Sequence, residues 1–452
     1  MSLLSLLHGL LGIAVILGIA YLFSNNKRKV SWRLVGMGLL IQIVFGTLVI
    51  KGSDMGEVFT PLGWPKQFFG WLAEGFVVIL GFTTEGARFV FGNLAVGQGF
   101  EGSLGFFFAF QVLPTIIFFS SLMAVMYYLG VMQKVVQGMA WVMARLMGTS
   151  GAESLSTTAN IFVGQTEAPL MIRPYVAGMT QSELLTVMTG GMATIAGGVM
   201  AAYVQMLGYS FAQTHGITIE AAQIKFAAQL LGASIMAAPA ALLISKIIVP
   251  EIGEPETRGK VKVNVEKNAS NVIEAAAGGA ADGLQLALNV GAMLLAFIAL
   301  IALLNALLGG IGSWTGVNEY LQATWGQPLS LQLILGLVLQ FVAYAIGVPS
   351  NEAFYFGSLI GTKVALNEFV AYLDLAKMVA ENKILSEKGI AMATFALCGF
   401  ANFSSIAIQI GGLSPMAPHR RKDLASLGLR AVLGGSLATL LTATIAGILI
   451  GG

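Results

Sequence analysis

Charge is what this 452-residue chain has least of: Lys, Arg, Asp and Glu together make up 10% of it. A soluble domain carries roughly a quarter of its residues as charges, so this composition cannot cover a water-facing surface of that size. The 24 basic and 22 acidic residues nearly cancel to a net charge of +2, which leaves no basic excess to hold nucleic acid. One cysteine, Cys398, excludes an internal disulfide and a thiolate metal cluster. Three scattered histidines, His8, His215 and His419, offer neither a metal-ligand spacing nor a Ser-His pattern in the apolar segments, so nothing points to an enzyme. What abounds is apolar residues, 56% of the chain, and glycine, of which there are 56. The chain belongs in a lipid bilayer.

Apolar stretches of about 20 residues, the length that crosses a bilayer at 1.5 Å per residue, recur at 3–23, 32–51, 106–131, 184–207, 228–249, 284–308, 390–413 and 428–449. Eight spans follow. The first lacks the basic start of a signal peptide and leads into Asn25-Asn26-Lys27-Arg28 rather than small residues, so it is read as a membrane helix. Lys27, Arg28, Lys29 and Arg33, then Arg258, Lys260, Lys262 and Lys267, then Arg420, Arg421 and Lys422 gather in three loops that fall on one side of an eight-span arrangement. Positive loops stay cytoplasmic, which puts both termini outside.

Two intervals are apolar yet broken. Residues 132–147 form an amphipathic segment, Gly148-Thr149-Ser150-Gly151 interrupts it, and two half-length stretches then meet near Gly164. Residues 331–346 repeat the plan, with a Gly347-Val348-Pro349 break and half-length stretches meeting near Asn367. Each reads as an interfacial helix followed by a re-entrant hairpin, a backbone that survives at membrane depth only inside protein or against a cavity. Glu153 precedes Glu167 by nearly the spacing that separates Glu352 from Glu368, and an odd number of crossings between the copies inverts one relative to the other. The expected fold class is an all-α polytopic membrane protein with eight transmembrane helices, two re-entrant helical hairpins and interfacial helices in an inverted repeat. Paired broken segments in two halves are a pointer to a transporter's midplane site.

Three motifs lie at these breaks. Gly164-Gln165-Thr166-Glu167-Ala168-Pro169-Leu170 puts an acid where burial costs about 2.5 to 3.5 kcal/mol, so Glu167 needs a partner or a function. Gln165 and Thr166 beside it suit a polar, planar ligand; the alternative is a structural pair with Arg173. Gly361-Thr362-Lys363 with Asn367-Glu368-Phe369-Val370-Ala371-Tyr372 carries a second acid, and a carboxylate accepts two hydroxyl hydrogens of a vicinal diol. Here the alternative is a Lys363–Glu368 pair that holds the hairpin. Gly399-Phe400-Ala401-Asn402-Phe403-Ser404-Ser405 disfavours a continuous helix and predicts local unwinding of the seventh span. Its counterpart, Ala193 to Val199, reads equally as an unwound stretch or as small-residue helix packing.

At these motifs the sequence resembles the concentrative nucleoside transporters, bacterial branch. Both hairpin motifs, Gly164 to Leu170 and Gly361 to Tyr372, match the family's pattern in the right order. The resemblance implies a sodium-coupled carrier of nucleosides such as uridine or adenosine in a bacterial cytoplasmic (inner) membrane, surrounded by lipid and assembled as a homotrimer. It implies that Gln165, Thr166 and Glu167 meet the nucleobase with Val199 against its face, that Glu368 and Asn402 bind the ribose hydroxyls, and that Phe400 and Ser405 complete the pocket. It carries a sodium (Na+) site to the carbonyls of Asn160, Val163 and Ile195 and the hydroxyls of Thr166 and Thr194, hard oxygen ligands without a carboxylate that suit a monovalent cation. Elevator-type alternating access would divide the chain into a scaffold part (1–131), a first repeat half (132–249), a cytoplasmic loop (250–283), a scaffold span (284–310) and a second repeat half (311–452). Thr194 is serine in some relatives, and the Gly347 to Glu352 stretch lacks the Trp-containing sequence of animal members. Competing readings are a proton-coupled nucleoside symporter and a paired-hairpin carrier for another small polar substrate; the intact first motif favours sodium.

Overall fold

The computed structural model describes residues 3–97, 102–259, 269–384 and 386–451; Lys260, Lys262 and Lys267 of the second basic loop lie outside the described residues. Among the described residues there are twenty α-helices and no strand. The first third supplies α1 (Leu3–Leu22), α2 (Trp32–Ile50), the short α3 (Gly52–Val58), the long α4 (Trp64–Phe91), the single-turn α5 (Phe108–Gln111) and α6 (Leu113–Tyr128). Ser31 starts α2 by accepting a hydrogen bond from the Leu34 amide at 3.4 Å.

Eight helical stretches of the described residues are long and apolar enough to cross a membrane by length and composition, and seven of them coincide with expected spans. The stretch Thr60–Ala95, which contains α4, was not counted from sequence. It buries Phe69, Ala73, Val77, Leu80, Thr83 and Ala87 at three- and four-residue intervals while Glu74, Glu85 and Arg88 lie on its exposed face. A one-sided apolar stripe opposite charges is the pattern of an interfacial helix, and the eight-crossing arrangement that puts the three basic loops on one side does not count it. Conversely, residues 390–413 are not one long helix, because that stretch unwinds in the middle.

The rest of the chain runs through the same sequence of pieces twice. In the first pass, α7 (Val131–Met147) buries Met132, Val136, Ala140, Met143 and Met147 along one face, as its amphipathic pattern predicts. A capping box between Ser150 and Glu153 starts α8 (Gly151–Ala159). The hairpin then turns through 160–167 and returns by a 3-10 turn (Ala168–Ile172) and the single-turn α9 (Arg173–Val176). A second capping box, Thr180 with Glu183, starts α10 (Gln181–Ala193), Thr194 and Ala196 are extended, and α11 (Gly197–His215) and α12 (Ile219–Ile248) follow. The 43-residue α13 (Val272–Trp314) and α14 (Val317–Trp325) lead to the second pass. That pass comprises α15 (Leu331–Ala345), α16 (Ala353–Ala365), a break at Leu366 and Asn367, α17 (Glu368–Ala380), α18 (Glu387–Leu397), a break at 398–402, α19 (Phe403–Leu413) and α20 (Arg421–Ile450).

The two passes are inverted along α12. Near the C-terminal end of α12, Lys246 pairs with Glu153 at the base of the first hairpin (2.7 Å) and with Glu251 (3.2 Å). Near its N-terminal end, Lys225 pairs with Glu387 (2.8 Å), one residue after Ser386, whose amide (2.8 Å) and hydroxyl (2.7 Å) donate to Glu352 at the base of the second hairpin. At 1.5 Å per residue the two bases stand about 30 Å apart along that helix. The basic loops share the Glu153 end. The Asn25 amide donates to the Ile248 carbonyl (3.0 Å), the Gly151 amide to the Thr257 carbonyl (3.0 Å), and Arg420 to the Met179 carbonyl (2.6 Å). Helices α10, α11, α12 and α20 are buried along most of their length, whereas α13 packs on α6, with Ser121 donating to the Ala276 carbonyl at 2.8 Å, and exposes most of its surface.

Candidate substrate and cation site

Four backbone interruptions meet inside the protein. The first hairpin tip reaches the break between α10 and α11 through a hydrogen bond from the Gly197 amide to the Phe162 carbonyl (3.1 Å). The break between α18 and α19 crosses the end of α10 so closely that a Cβ on Gly399 would stand 2.7 Å from the Met192 carbonyl oxygen, which only glycine permits. Around this crossing the short helices begin. Asn367 caps α17 by accepting from the Val370 amide (2.9 Å), and Asn402 caps α19 by accepting from the Ser405 amide (2.9 Å). The unwinding at Gly399 to Ser405 thus occurs where sequence placed it, and the Ala193 to Val199 stretch, which sequence left open, resolves in favour of unwinding.

The polar groups form two clusters. In one, Glu368, the first residue of α17, is 4% exposed and accepts from Tyr203 Oη (3.0 Å) and from Asn402 Nδ2 (3.3 Å). Because the cap engages Asn402 Oδ1, which also accepts from Ser404 Oγ (2.7 Å), its amide nitrogen is directed at the acid. A carboxylate offers about four acceptor positions, so two remain for hydroxyl donors. In the other cluster, Gln165 donates to Ser405 Oγ (3.2 Å) and accepts from Gln409 Nε2 (3.1 Å), which also donates to the Met188 carbonyl (2.9 Å). Ser405 lies one turn before Gln409 on α19, next to the Asn402 cap, and so connects the two clusters. Val199 is buried in the first turn of α11, and Phe400 is half-buried in the unwound stretch.

Neither ion pair weighed from sequence forms. Lys363 is buried, but its ammonium donates to the Ala396 carbonyl (2.8 Å) and to Thr439 Oγ1 (3.0 Å), not to Glu368. It closes the C-terminal end of α18, where carbonyls are left without helical partners and the helix dipole favours a cation. Arg173 is exposed, and no Glu167–Arg173 pair occurs among the ion pairs of the described residues. Glu167 instead folds over the tip, its carboxylate filling the space beside Gly164.

The five residues to which the resemblance carries sodium also converge. Asn160 ends α8, Val163 and Thr166 line the turn, and Thr194 and Ile195 form the break that the Gly197–Phe162 bond draws against it. The carbonyl oxygens of Asn160, Val163 and Ile195 take no part in the backbone hydrogen bonds of the described residues, and Thr194 Oγ1 donates to the Gly190 carbonyl (2.9 Å), a bond that uses its hydrogen and not its lone pairs. No group of three or more His, Cys, Asp or Glu suited to a metal occurs among the described residues. A donor set of neutral oxygens fits a hard monovalent ion.

Sequence reasoning missed Tyr203 and Gln409. Each stands four residues, one helical turn, beyond a residue it did single out, Val199 and Ser405, and so shares its face of the helix.

An all-α membrane protein with paired hairpins around an internal polar site belongs to the class of secondary carriers, and the comparisons give the family. Residues 229–447 match the family model described as "Na+ dependent nucleoside transporter C-terminus", residues 11–94 match the corresponding N-terminus, and residues 109–210 match a gate described as "Nucleoside recognition". The nucleoside permease NupC of Helicobacter pylori is 42% identical over 99% of this chain and 98% of its own length. Sodium/nucleoside cotransporter 1 of Homo sapiens is 41% identical over 97% of this chain and 63% of its own length. A solved structure of CNTnw in an inward-facing substrate-bound state superposes with a TM-score of 0.82 at 44% identity, covering 98% of this chain and 99% of that one. A CNTnw double variant in an outward-facing state gives 0.86 at 43% identity, covering 99% and 98%. The chain belongs to the Na+-dependent, or concentrative, nucleoside transporter family, whose members are transporters and not enzymes and whose coupling ion is sodium.

Proposed function

We propose that the chain imports nucleosides by symport with sodium. The observation that carries this reading is the pairing of an amide–hydroxyl cluster, Gln165 and Ser405, with a buried acid, Glu368, held by Asn402. A nucleoside needs both: an edge of donors and acceptors for a planar base, and a carboxylate for a vicinal diol. Gln165, Thr166 and Glu167 then meet the base with Val199 against its face, Glu368 and Asn402 take the ribose hydroxyls, and Phe400 and Ser405 complete the enclosure.

Sodium enters at Asn160, Val163, Thr166, Thr194 and Ile195. Thr166 belongs to both sets, and its methyl lies against α19, where a Cβ on Gly412 would come within 2.8 Å of it. Sodium bound to its hydroxyl fixes the turn that carries Gln165 and Glu167, which raises affinity for the nucleoside, and linkage then requires the nucleoside to raise affinity for sodium equally.

Alternating access follows an elevator in which α6 and α13, with residues 1–131 and 284–310, form the fixed scaffold. The two repeat halves, 132–249 and 311–452, carry the site across the bilayer. The Glu153 end, where the basic loops gather, faces the cytoplasm, and both termini face outward across a bacterial inner membrane. The chain works as a homotrimer in lipid, with the broad exposed surface of α13 available for subunit or lipid contact.

Uptake of labelled uridine into proteoliposomes with an inward sodium gradient, with a proton gradient and with neither tests the reading. Accumulation only with sodium is expected; equal uptake in all three removes sodium coupling.

A further inference from the structure

Gln409 belongs to neither hairpin motif, yet it is 1% exposed and its Nε2 makes both of its hydrogen bonds. Those two bonds determine which way a second amide points. The Met188 carbonyl, 2.9 Å away, can only accept, so the Gln409 atom facing it must be the nitrogen. The same nitrogen's other hydrogen points at Gln165 at 3.1 Å, so the Gln165 atom there must be the oxygen. The Gln165 nitrogen is thereby turned to the opposite side, toward Ser405. Turning either amide over would set two acceptors or two donors face to face. Gln409 Oε1 is left buried without a partner among the described residues, so nothing on its far side counters the orientation. The space is held open by Gly191 of α10, where a Cβ would stand 2.7 Å from Gln409 Nε2 and 2.9 Å from Gln165 Cβ.

We propose that Gln409 is a positioning residue that fixes the amide of Gln165 with its nitrogen toward the ligand, so that the site selects nucleobases presenting an acceptor on the edge Gln165 meets. The inference rests on the nucleoside reading and names the source of base selectivity within it. One hydrogen of Gln165 Nε2 is engaged by Ser405 and one remains for the base. The chain of constraint runs from a backbone carbonyl through Gln409 to Gln165, so a residue outside the substrate contacts decides what the substrate must offer.

Uridine and cytidine make the test, because O4 and N3–H of one are replaced by N4–H2 and N3 of the other, which inverts donor and acceptor along the same edge. Binding of both to the purified full-length protein is measured in sodium, for the wild type, Gln409→Glu and Gln409→Met. A carboxyl at 409, protonated toward the Met188 carbonyl, presents only oxygen to Gln165, which must then turn its nitrogen inward and its oxygen to the ligand. The wild type is expected to prefer one of the two nucleosides by about tenfold, the ratio of one matched against one mismatched hydrogen bond. In Gln409→Glu that preference reverses. In Gln409→Met, which offers no donor and fills similar volume, the ratio falls toward one, and this variant carries the test if the acidic one does not fold. A ratio unchanged in both variants, with affinity for both nucleosides lowered equally, marks a merely structural role and overturns the inference, while leaving the nucleoside reading standing. Equal wild-type affinity for the two nucleosides also overturns it. A wild type that binds neither overturns both.

Discussion

Replacing Glu368 by glutamine changes one atom and gives the account a quantitative test. In the wild type the carboxylate accepts from Tyr203 and Asn402 and keeps two acceptor positions, which the proposed function gives to the ribose. In Glu368→Gln the side-chain oxygen must stay opposite Asn402 Nδ2, whose orientation is set by the α19 cap, so the new amide nitrogen faces Tyr203 Oη. Tyr203 can turn its hydroxyl to accept, so the variant stays satisfied inside the protein, but a donor now stands where one ribose hydroxyl donated. Hydrogen bonds to charged groups are worth about 1.5 to 3 kcal/mol each. Losing one lowers uridine affinity by roughly 10- to 150-fold. Calorimetric titration of the purified protein in sodium with uridine and with 2′,3′-dideoxyuridine reads this as a cycle. The wild type should lose affinity on removal of the two hydroxyls, whereas Glu368→Gln should lose far less on the same change. If the variant binds uridine as tightly as the wild type, or if removal of the diol costs both proteins the same factor, Glu368 does not hold the ribose.

Two other perturbations follow from the same geometry. Thr166→Ala removes the hydroxyl that the proposed function shares between the cation and the base, so raising sodium from micromolar to saturating concentration should no longer increase uridine affinity; an undiminished sodium dependence refutes its coupling role. Lys246→Met strands Glu153, which is 1% exposed at its side chain and 2.7 Å from the lysine, and should destabilise the protein by about 3 to 5 kcal/mol. The Glu153→Gln, Lys246→Met double variant should recover most of that loss in thermal unfolding of the detergent-solubilised protein, and a double variant no more stable than the single one counts against a paired role.

Most of the plan was legible in the sequence because it is written in interruptions. Apolar length gave the membrane helices, and glycine, asparagine and serine within apolar stretches gave the hairpin turns and unwound spans, since these residues disrupt helix in a way that hydropathy leaves visible. Helix α4 was not expected from sequence, because its charges lie on one face and interrupt the apolar run while its other face packs against the core, the pattern of an interfacial helix rather than of a span. The candidate site was half legible. Gln165, Glu368, Asn402 and Ser405 lie in contiguous motifs, whereas Tyr203 and Gln409 stand outside the motifs and meet Glu368 and Gln165, partners distant in sequence, only across the fold. Lys363 shows the reverse error: nearness in sequence suggested a pair with Glu368, but the fold brings the end of α18 closer to the ammonium than the acid five residues away. Local spacing predicts which groups share a helix face, and only the packing of two inverted halves decides which groups meet.

The central claim is that sodium and a nucleoside cross together, and it is tested most directly by running the coupling backwards. Proteoliposomes with equal sodium on both sides and a trace of 22Na+ outside are given an inward gradient of uridine alone. The account predicts that uridine draws 22Na+ inward above its equilibrium distribution, and that Thr194→Val, which removes a hydroxyl from the cation site, abolishes this. Uridine entry with no movement of 22Na+ would contradict it.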